Sequence, residues 1–167
     1  MGCRYVEVGH AERRTLFGED DPVVSAKTAA ALRHGLVPVL CVGETAADDP
    51  AEAATECRRQ LRAAMADSRS AGLRGRVIVA SEPRWASGAD QPAGDDHIRI
   101  VCAGLRDEVA GLTAHPDSAV IYGGSAGPGL LTRLGSAVDG LFLGRFAHDP
   151  EALDRVLAET AARSRTG

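Results

Sequence analysis

The sequence predicts an α/β fold built on parallel strands, and two observations carry that prediction. Short runs rich in Val, Ile and Leu alternate along the chain with longer amphipathic stretches. Each apolar run is bounded by Gly or Pro, as strands are. Strand–helix alternation implies parallel strands joined by right-handed crossovers. That leaves an open doubly wound sheet or a (β/α)8 barrel. The chain holds five strand–helix units, whereas such a barrel needs eight and typically about 250 residues. Pattern alone therefore favours the open sheet.

The elements follow in order. A first strand covers Arg4–Val8 and is closed by His10; the segment after it could start a helix. Pro22 to His34 reads as a helix, entered through an acidic cluster and a proline and stopped before Gly35. Val37–Val42 is the second strand. Ala51 to Ser70 has apolar or small residues at 54, 57, 61, 64 and 65, a helical face. Val77–Ser81 is the third strand. Asp95 to Leu112 is a helix with Ile98, Val101, Cys102, Leu105 and Val109 on one side. Ala119–Tyr122 is the fourth strand, followed by a short helix at Gly129 to Leu134. Gly140–Leu143 is the fifth strand. The last helix, Glu151 to Ala162, starts after Asp149-Pro150 and buries Leu153, Val156 and Leu157.

Composition bounds the function. With 167 residues the chain makes one domain, 44% hydrophobic and 25% charged, as in an ordinary soluble protein. The net charge of −4 advertises no surface for nucleic acid or anionic lipid, so neither partner is expected. No run approaches the roughly 18 apolar residues of a membrane helix. Arg4 and Glu7 break any signal-peptide pattern. Cys3, Cys41, Cys57 and Cys102 form no CxxC pair and have no His at zinc-like spacing. They read as four buried reduced thiols of a cytoplasmic protein, with no metal and no cofactor.

Four segments stand at the C-terminal ends of the predicted strands, where an α/β barrel binds ligands. They are Tyr5-Val6-Glu7-Val8-Gly9-His10-Ala11-Glu12-Arg13-Arg14, Val39-Leu40-Cys41-Val42-Gly43-Glu44-Thr45, Ser81-Glu82-Pro83-Arg84-Trp85-Ala86-Ser87-Gly88 and Tyr122-Gly123-Gly124-Ser125. In this order and spacing they resemble the triosephosphate isomerase family, from about Cys3 to Leu157. The resemblance overrides the open-sheet reading. It implies one partial (β/α)8 barrel domain over residues 1–167, starting at the family's fourth strand and lacking its first three strand–helix units.

The resemblance also assigns roles. It implies an isomerase that interconverts glyceraldehyde 3-phosphate and dihydroxyacetone phosphate through an enediolate, with a place in glycolysis and gluconeogenesis. His10 is then a neutral imidazole electrophile and Glu82 the general base, a pairing carried over from triosephosphate isomerase itself. Glu12 matches an acid that works with a lysine from the family's first strand, and no residue here matches that lysine. Glu44 is a further acid near a strand end. Pro83 to about Ala93 is a lid, with Pro83 and Trp85 at its first hinge and Gly88 offering a backbone N–H to phosphate. Tyr122 holds the closed lid near Ala93, and Gly124 and Ser125 bind the phosphate. Gly144 matches the first of two phosphate-facing glycines.

Two places depart from the family pattern. Ala89-Asp90-Gln91-Pro92 replaces small and basic lid residues, and Arg145 replaces the second glycine. Arg145 could add a phosphate contact or select another substrate. A four-carbon ketose phosphate (erythrulose phosphate) isomerase is therefore an alternative. So is a catalytically inactive phosphate-binding fragment. Another phosphate-binding barrel would explain Gly144 but not His10 with Glu82. The resemblance implies a homodimer in the full-length protein, with Arg13 and Arg14 near the contact; the family's docking loop has no counterpart here. A truncated reading frame, an internal start and a deliberate fragment all fit a chain that opens on a core strand. Without the lysine charge these residues alone are expected to be a poor catalyst.

Overall fold

Five parallel strands form one sheet in strict chain order in the computed structural model, which describes residues 2–47 and 49–165. They are β1 (Tyr5–Val8), β2 (Val37–Val42), β3 (Ile78–Ser81), β4 (Ala119–Tyr122) and β5 (Gly140–Leu141). The helices between them are α1 (Ala11–Phe17), α2 (Asp21–Arg33), α3 (Pro50–Ala64), α4 (Ala66–Ser70), α5 (Asp95–Ala110), α6 (Leu130–Leu134) and α7 (Pro150–Ser164). Short 3-10 turns cover Gly135–Ala137 and Arg145–Ala147.

Strands adjacent in the sheet are adjacent in the chain, so right-handed crossovers lay their helices on one side. α2 packs on β1 and β2, α3 on β2, and α5 on β3 and β4; α2, α3 and α5 also pack side by side. A doubly wound sheet requires a reversal of strand order. None occurs among the described residues, and the fold is a sector of an α/β barrel. Its core lies between sheet and helices. Leu40, Val79 and Val120 share one register row and are essentially sealed from solvent. The alternate row, Glu7–Val39–Ile78–Ala119, faces the other way and stays partly open. At β2 this face still closes over Cys41, whose thiol burial pushes well above its ordinary value, with the Glu82 and Glu7 carboxylates adding to it.

The structure corrects several expectations. The segment after His10 does start a helix, α1, which buries no residue; the departures are elsewhere. The helix expected over Ala51–Ser70 breaks at Met65, because the Ser25 hydroxyl accepts the Asp67 N–H at 3.0 Å and docks α4 separately onto α2. The fifth strand stops at Leu141, with one further ladder bond from Phe142 N–H to Tyr122 O at 2.8 Å. Cys3 is exposed rather than buried, since it precedes β1 at the edge of the sheet. Cys57 and Cys102 do lie in the core on α3 and α5; burial raises both thiols, that of Cys102 to about 12.

Candidate active site

The C-terminal ends of β1, β3, β4 and β5 converge on one pocket of about 360 Å³. His10, Glu12, Glu82, Gly88, Ser125, Gly144 and Arg145 all line it, as do Glu7, Ser87, Gly123 and Phe142. The decisive contact joins two of them: His10 Nε2 lies 2.9 Å from Glu82 Oε1.

His10 is fixed by the helix that follows it. It is the N-cap of α1, and its Nδ1 accepts the Glu12 N–H at 3.3 Å. An acceptor at Nδ1 leaves the ring proton of a neutral imidazole on Nε2, which donates to Glu82. The Phe142 ring stands edge-on to the imidazole, with centroids 6.4 Å apart.

Glu82 is 4% exposed. Its Oε1 also accepts the Ser87 hydroxyl at 2.9 Å, and its Oε2 the Ala11 N–H at 3.3 Å. Arg84, its only cationic neighbour in sequence, makes no ion pair with it among the described residues, although both border the small cavity behind Gly43. The Glu82 backbone is gripped from behind. A Cβ on Gly43 would fall 1.9 Å from Glu82 O and 2.4 Å from its carbonyl carbon. Gln60 clamps the same glycine, accepting Gly43 N–H at 3.1 Å and donating to Gly43 O at 3.0 Å.

Residues 83–93 cross the mouth of the pocket in turns. Trp85 Nε1 donates to Glu44 Oε1 at 2.8 Å, and His97 Nε2 meets the same oxygen at 2.9 Å. Glu44 is thus buried and bonded to Trp85 and His97, and it does not line the pocket of His10 and Glu82. At the far end of this segment the Tyr122 hydroxyl accepts the Ala93 N–H at 3.0 Å, and burial raises that phenol so that it keeps its proton.

Two residues expected at the phosphate have protein contacts of their own here. The Ser125 hydroxyl lies 2.8 Å from Ala86 O and 2.7 Å from Ala89 O, so it donates to the lid backbone. Ser125 holds φ +52, a left-handed conformation that a non-glycine residue seldom takes away from functional turns. Gly124 does not line the pocket. It is glycine because a Cβ would meet the Tyr122 hydroxyl at 2.5 Å and Pro83 at 3.0 Å. Gly88 does sit at the pocket, at φ +75 with open space where a Cβ would point. Arg145 directs Nη1 and Nη2 to lid carbonyls.

Beside the pocket, Glu19 is ion-paired to Arg13 at 2.6 Å and to Lys27, the chain's single lysine. Arg14 bonds Gly9 O at 3.1 Å and Asp21 at 3.0 Å. Burial pushes Asp21 up, yet the Arg59 and Arg14 guanidiniums outweigh it and hold the carboxyl below its ordinary value.

The family model described as triosephosphate isomerase matches residues 1–160. The chain belongs to the triosephosphate isomerase family. It is 51% identical over 159 residues to an L-erythrulose-1-phosphate isomerase of Pectobacterium atrosepticum, a match that covers 95% of this chain and 61% of that protein. It is 43% identical over 129 residues to a triosephosphate isomerase of Mycobacterium avium, covering 75% of this chain and 49% of that one. A triosephosphate isomerase of Cupriavidus pinatubonensis is 44% identical over 144 residues, covering 83% and 58%. The chain thus spans about half to three-fifths of the length of these relatives.

The structure brings His10 and Glu82 together, as the motifs led us to expect. Sequence reasoning missed Ser87, Phe142, Gly43 and Gln60. Gly43 and Ser87 do lie within the strand-end segments singled out in the sequence, although neither was given a role there.

Proposed function

We propose that the protein is an aldose–ketose isomerase acting on a small sugar phosphate. The observation that carries this reading is the 2.9 Å contact between a buried carboxylate and the Nε2 of an imidazole capped at Nδ1 by a backbone N–H. Such a pair suits proton transfer beside a carbonyl. Glu82 removes the proton from the carbon next to the substrate carbonyl, and the electron pair moves onto the carbonyl oxygen as an enediolate forms. His10 Nε2–H donates to that oxygen and then carries a proton between the two substrate oxygens. Glu82 returns its proton to the neighbouring carbon. The atoms and electrons balance within the substrate, because an aldose and its ketose are isomers.

In this reading the contact between His10 and Glu82 is the resting state. The entering carbonyl accepts the Nε2–H hydrogen bond in place of Glu82 Oε1, which keeps the Ser87 hydroxyl as its partner. The 83–93 segment then acts as the lid that excludes water and strengthens the remaining electrostatics. The pocket's lining carries three carboxylates, Glu7, Glu12 and Glu82, against the Arg145 guanidinium. An anionic substrate needs further positive charge, which the resemblance places on a lysine of the family's first strand. Glu12 is read as that lysine's partner. A homodimer in the cytoplasm, working in central sugar-phosphate metabolism, completes the proposal by resemblance to the family.

Triose phosphate is the first substrate to test. A four-carbon ketose phosphate is the second, favoured by the 51% identity to the erythrulose-phosphate relative against 43–44% to the triosephosphate relatives named above. The test is interconversion of glyceraldehyde 3-phosphate and dihydroxyacetone phosphate beside the corresponding tetrulose phosphate reaction, comparing kcat/KM. Activity on either, lost in Glu82→Gln, supports the isomerase reading. A full-length protein inactive on both would refute it.

A further inference from the structure

Arg145 stands where the family resemblance places a glycine, and its contacts give it a distinct task. Nη1 donates to Gly88 O at 3.4 Å, and Nη2 to Ala89 O at 2.7 Å and Asp90 O at 3.2 Å. Three successive lid carbonyls therefore turn toward one guanidinium. The guanidinium is backed by the ring of Phe146, whose centroid lies 5.2 Å from Cζ. That ring is itself seated: a Cβ on Gly127 would come within 2.6 Å of it.

The lid has little of its own to hold it in place. Its internal backbone bonds are turns, from Ala86 and Ser87 N–H to Pro83 O and from Ala89 N–H to Ala86 O. Its position over the pocket depends on contacts made across the mouth. Glu44 holds its start through Arg84 N–H and Trp85, Ser87 reaches Glu82, Tyr122 holds the other end and Ser125 meets Ala86 O and Ala89 O; Arg145 meets the carbonyls of residues 88–90, sharing Ala89 O with Ser125.

We propose that Arg145 is a positioning residue that clasps the lid tip closed, rather than a ligand for the substrate's phosphate. The inference rests on reading residues 83–93 as a lid. A planar guanidinium can serve several carbonyls at once, which a lysine ammonium on a flexible stem does poorly and a glycine cannot do. The clasp raises the closed population of the lid and slows its release.

Hydrogen exchange of the 83–93 peptide, followed by mass spectrometry on the full chain without substrate, reads this directly. The variants are Arg145→Ala and Arg145→Lys, with far-UV circular dichroism and exchange of the β2 and β3 peptides as folding controls. The expected result is faster lid exchange in Arg145→Ala, by roughly tenfold, since exposed charge-assisted hydrogen bonds each contribute only a few-fold. Arg145→Lys should fall between, and the strand peptides should not change. A second arm adds inorganic phosphate as the probe. If Arg145→Ala leaves the ligand-free lid exchange unchanged but abolishes protection by phosphate, Arg145 is an anion ligand and the clasp is overturned. Unchanged exchange in both arms overturns it as well. Because no turnover is measured, this result is independent of whether the isomerase reading stands.

Discussion

Replacing Gly43 by Ala tests whether the backbone behind the proposed base is as tightly held as the structure implies. The added methyl would sit 1.9 Å from Glu82 O, 2.4 Å from the Glu82 carbonyl carbon and 3.0 Å from Pro83 N. These are backbone atoms, so no flexible side chain can yield. Restoring ordinary contact requires the two segments to part by roughly 1.5 Å. Gln60 opposes movement on the Gly43 side through its paired bonds to N–H and O. The displacement therefore falls largely on Glu82 and the start of the lid. A misplacement of about 1 Å in a reacting group can cost roughly 10²-fold in rate. Overpacking itself costs about 1–3 kcal/mol. Gly43→Ala should thus lower kcat by about two orders of magnitude, with a modest fall in Tm and little change in KM. The assay is steady-state isomerisation beside a thermal melt. A folded variant with wild-type kcat would refute the argument that Gly43 positions Glu82.

Other expectations follow from the same contacts. Trp85→Phe removes one of the two nitrogen donors at Glu44 Oε1 and leaves a buried carboxylate under-bonded. It should destabilise the protein by about 1–3 kcal/mol, and an unchanged Tm would reject the anchoring role of Glu44. Glu19 is held below the ordinary carboxylate range by the Lys27 hydrogen bond and then by Arg13, against its burial. A folded-state value below the unfolded one contributes stability that is complete above about pH 4.3 and is lost as pH falls through the folded value. Glu19→Gln should flatten that acid limb of the Tm–pH curve, and a limb as steep as wild type would contradict it. Glu82→Asp shortens the base by one methylene and should reduce kcat far more than it changes KM, since only the transition state needs the full reach. Equal losses in both would argue against Glu82 as base.

The sheet was legible because its strands are short Val- and Ile-rich runs punctuated by Gly and Pro, and the register rows that bury Leu40, Val79 and Val120 follow from their alternation. His10 and Glu82 were legible through their flanking motifs, not through periodicity. α1 was hard to see because a seven-residue helix that buries nothing leaves no apolar stripe. The break at Met65 was hidden for the opposite reason: the apolar face runs on through it, and the hydrogen bond that redirects α4 comes from Ser25 on another helix. Ser125 and Arg145 border the pocket but also bond carbonyls of residues 86–90, and Gly124 packs against Tyr122 and Pro83. Those contacts depend on where the lid lies, which only the folded chain specifies. The support of Gly43 by Gln60 spans 17 residues and joins a strand end to a helix, so no local pattern reports it.

The most direct measurement of the central claim is proton exchange at the carbon beside the substrate carbonyl. The protein is incubated in D2O with dihydroxyacetone phosphate, and separately with the corresponding four-carbon ketose phosphate, and followed by proton NMR. The account predicts deuterium entering that carbon position during isomerisation, because Glu82 holds the abstracted proton long enough to trade it with solvent. Exchange should vanish in Glu82→Gln and fall strongly in a folded His10→Gln. Isomerisation without any deuterium incorporation, or exchange that persists undiminished in Glu82→Gln, would contradict the proton-transfer role assigned to this pair.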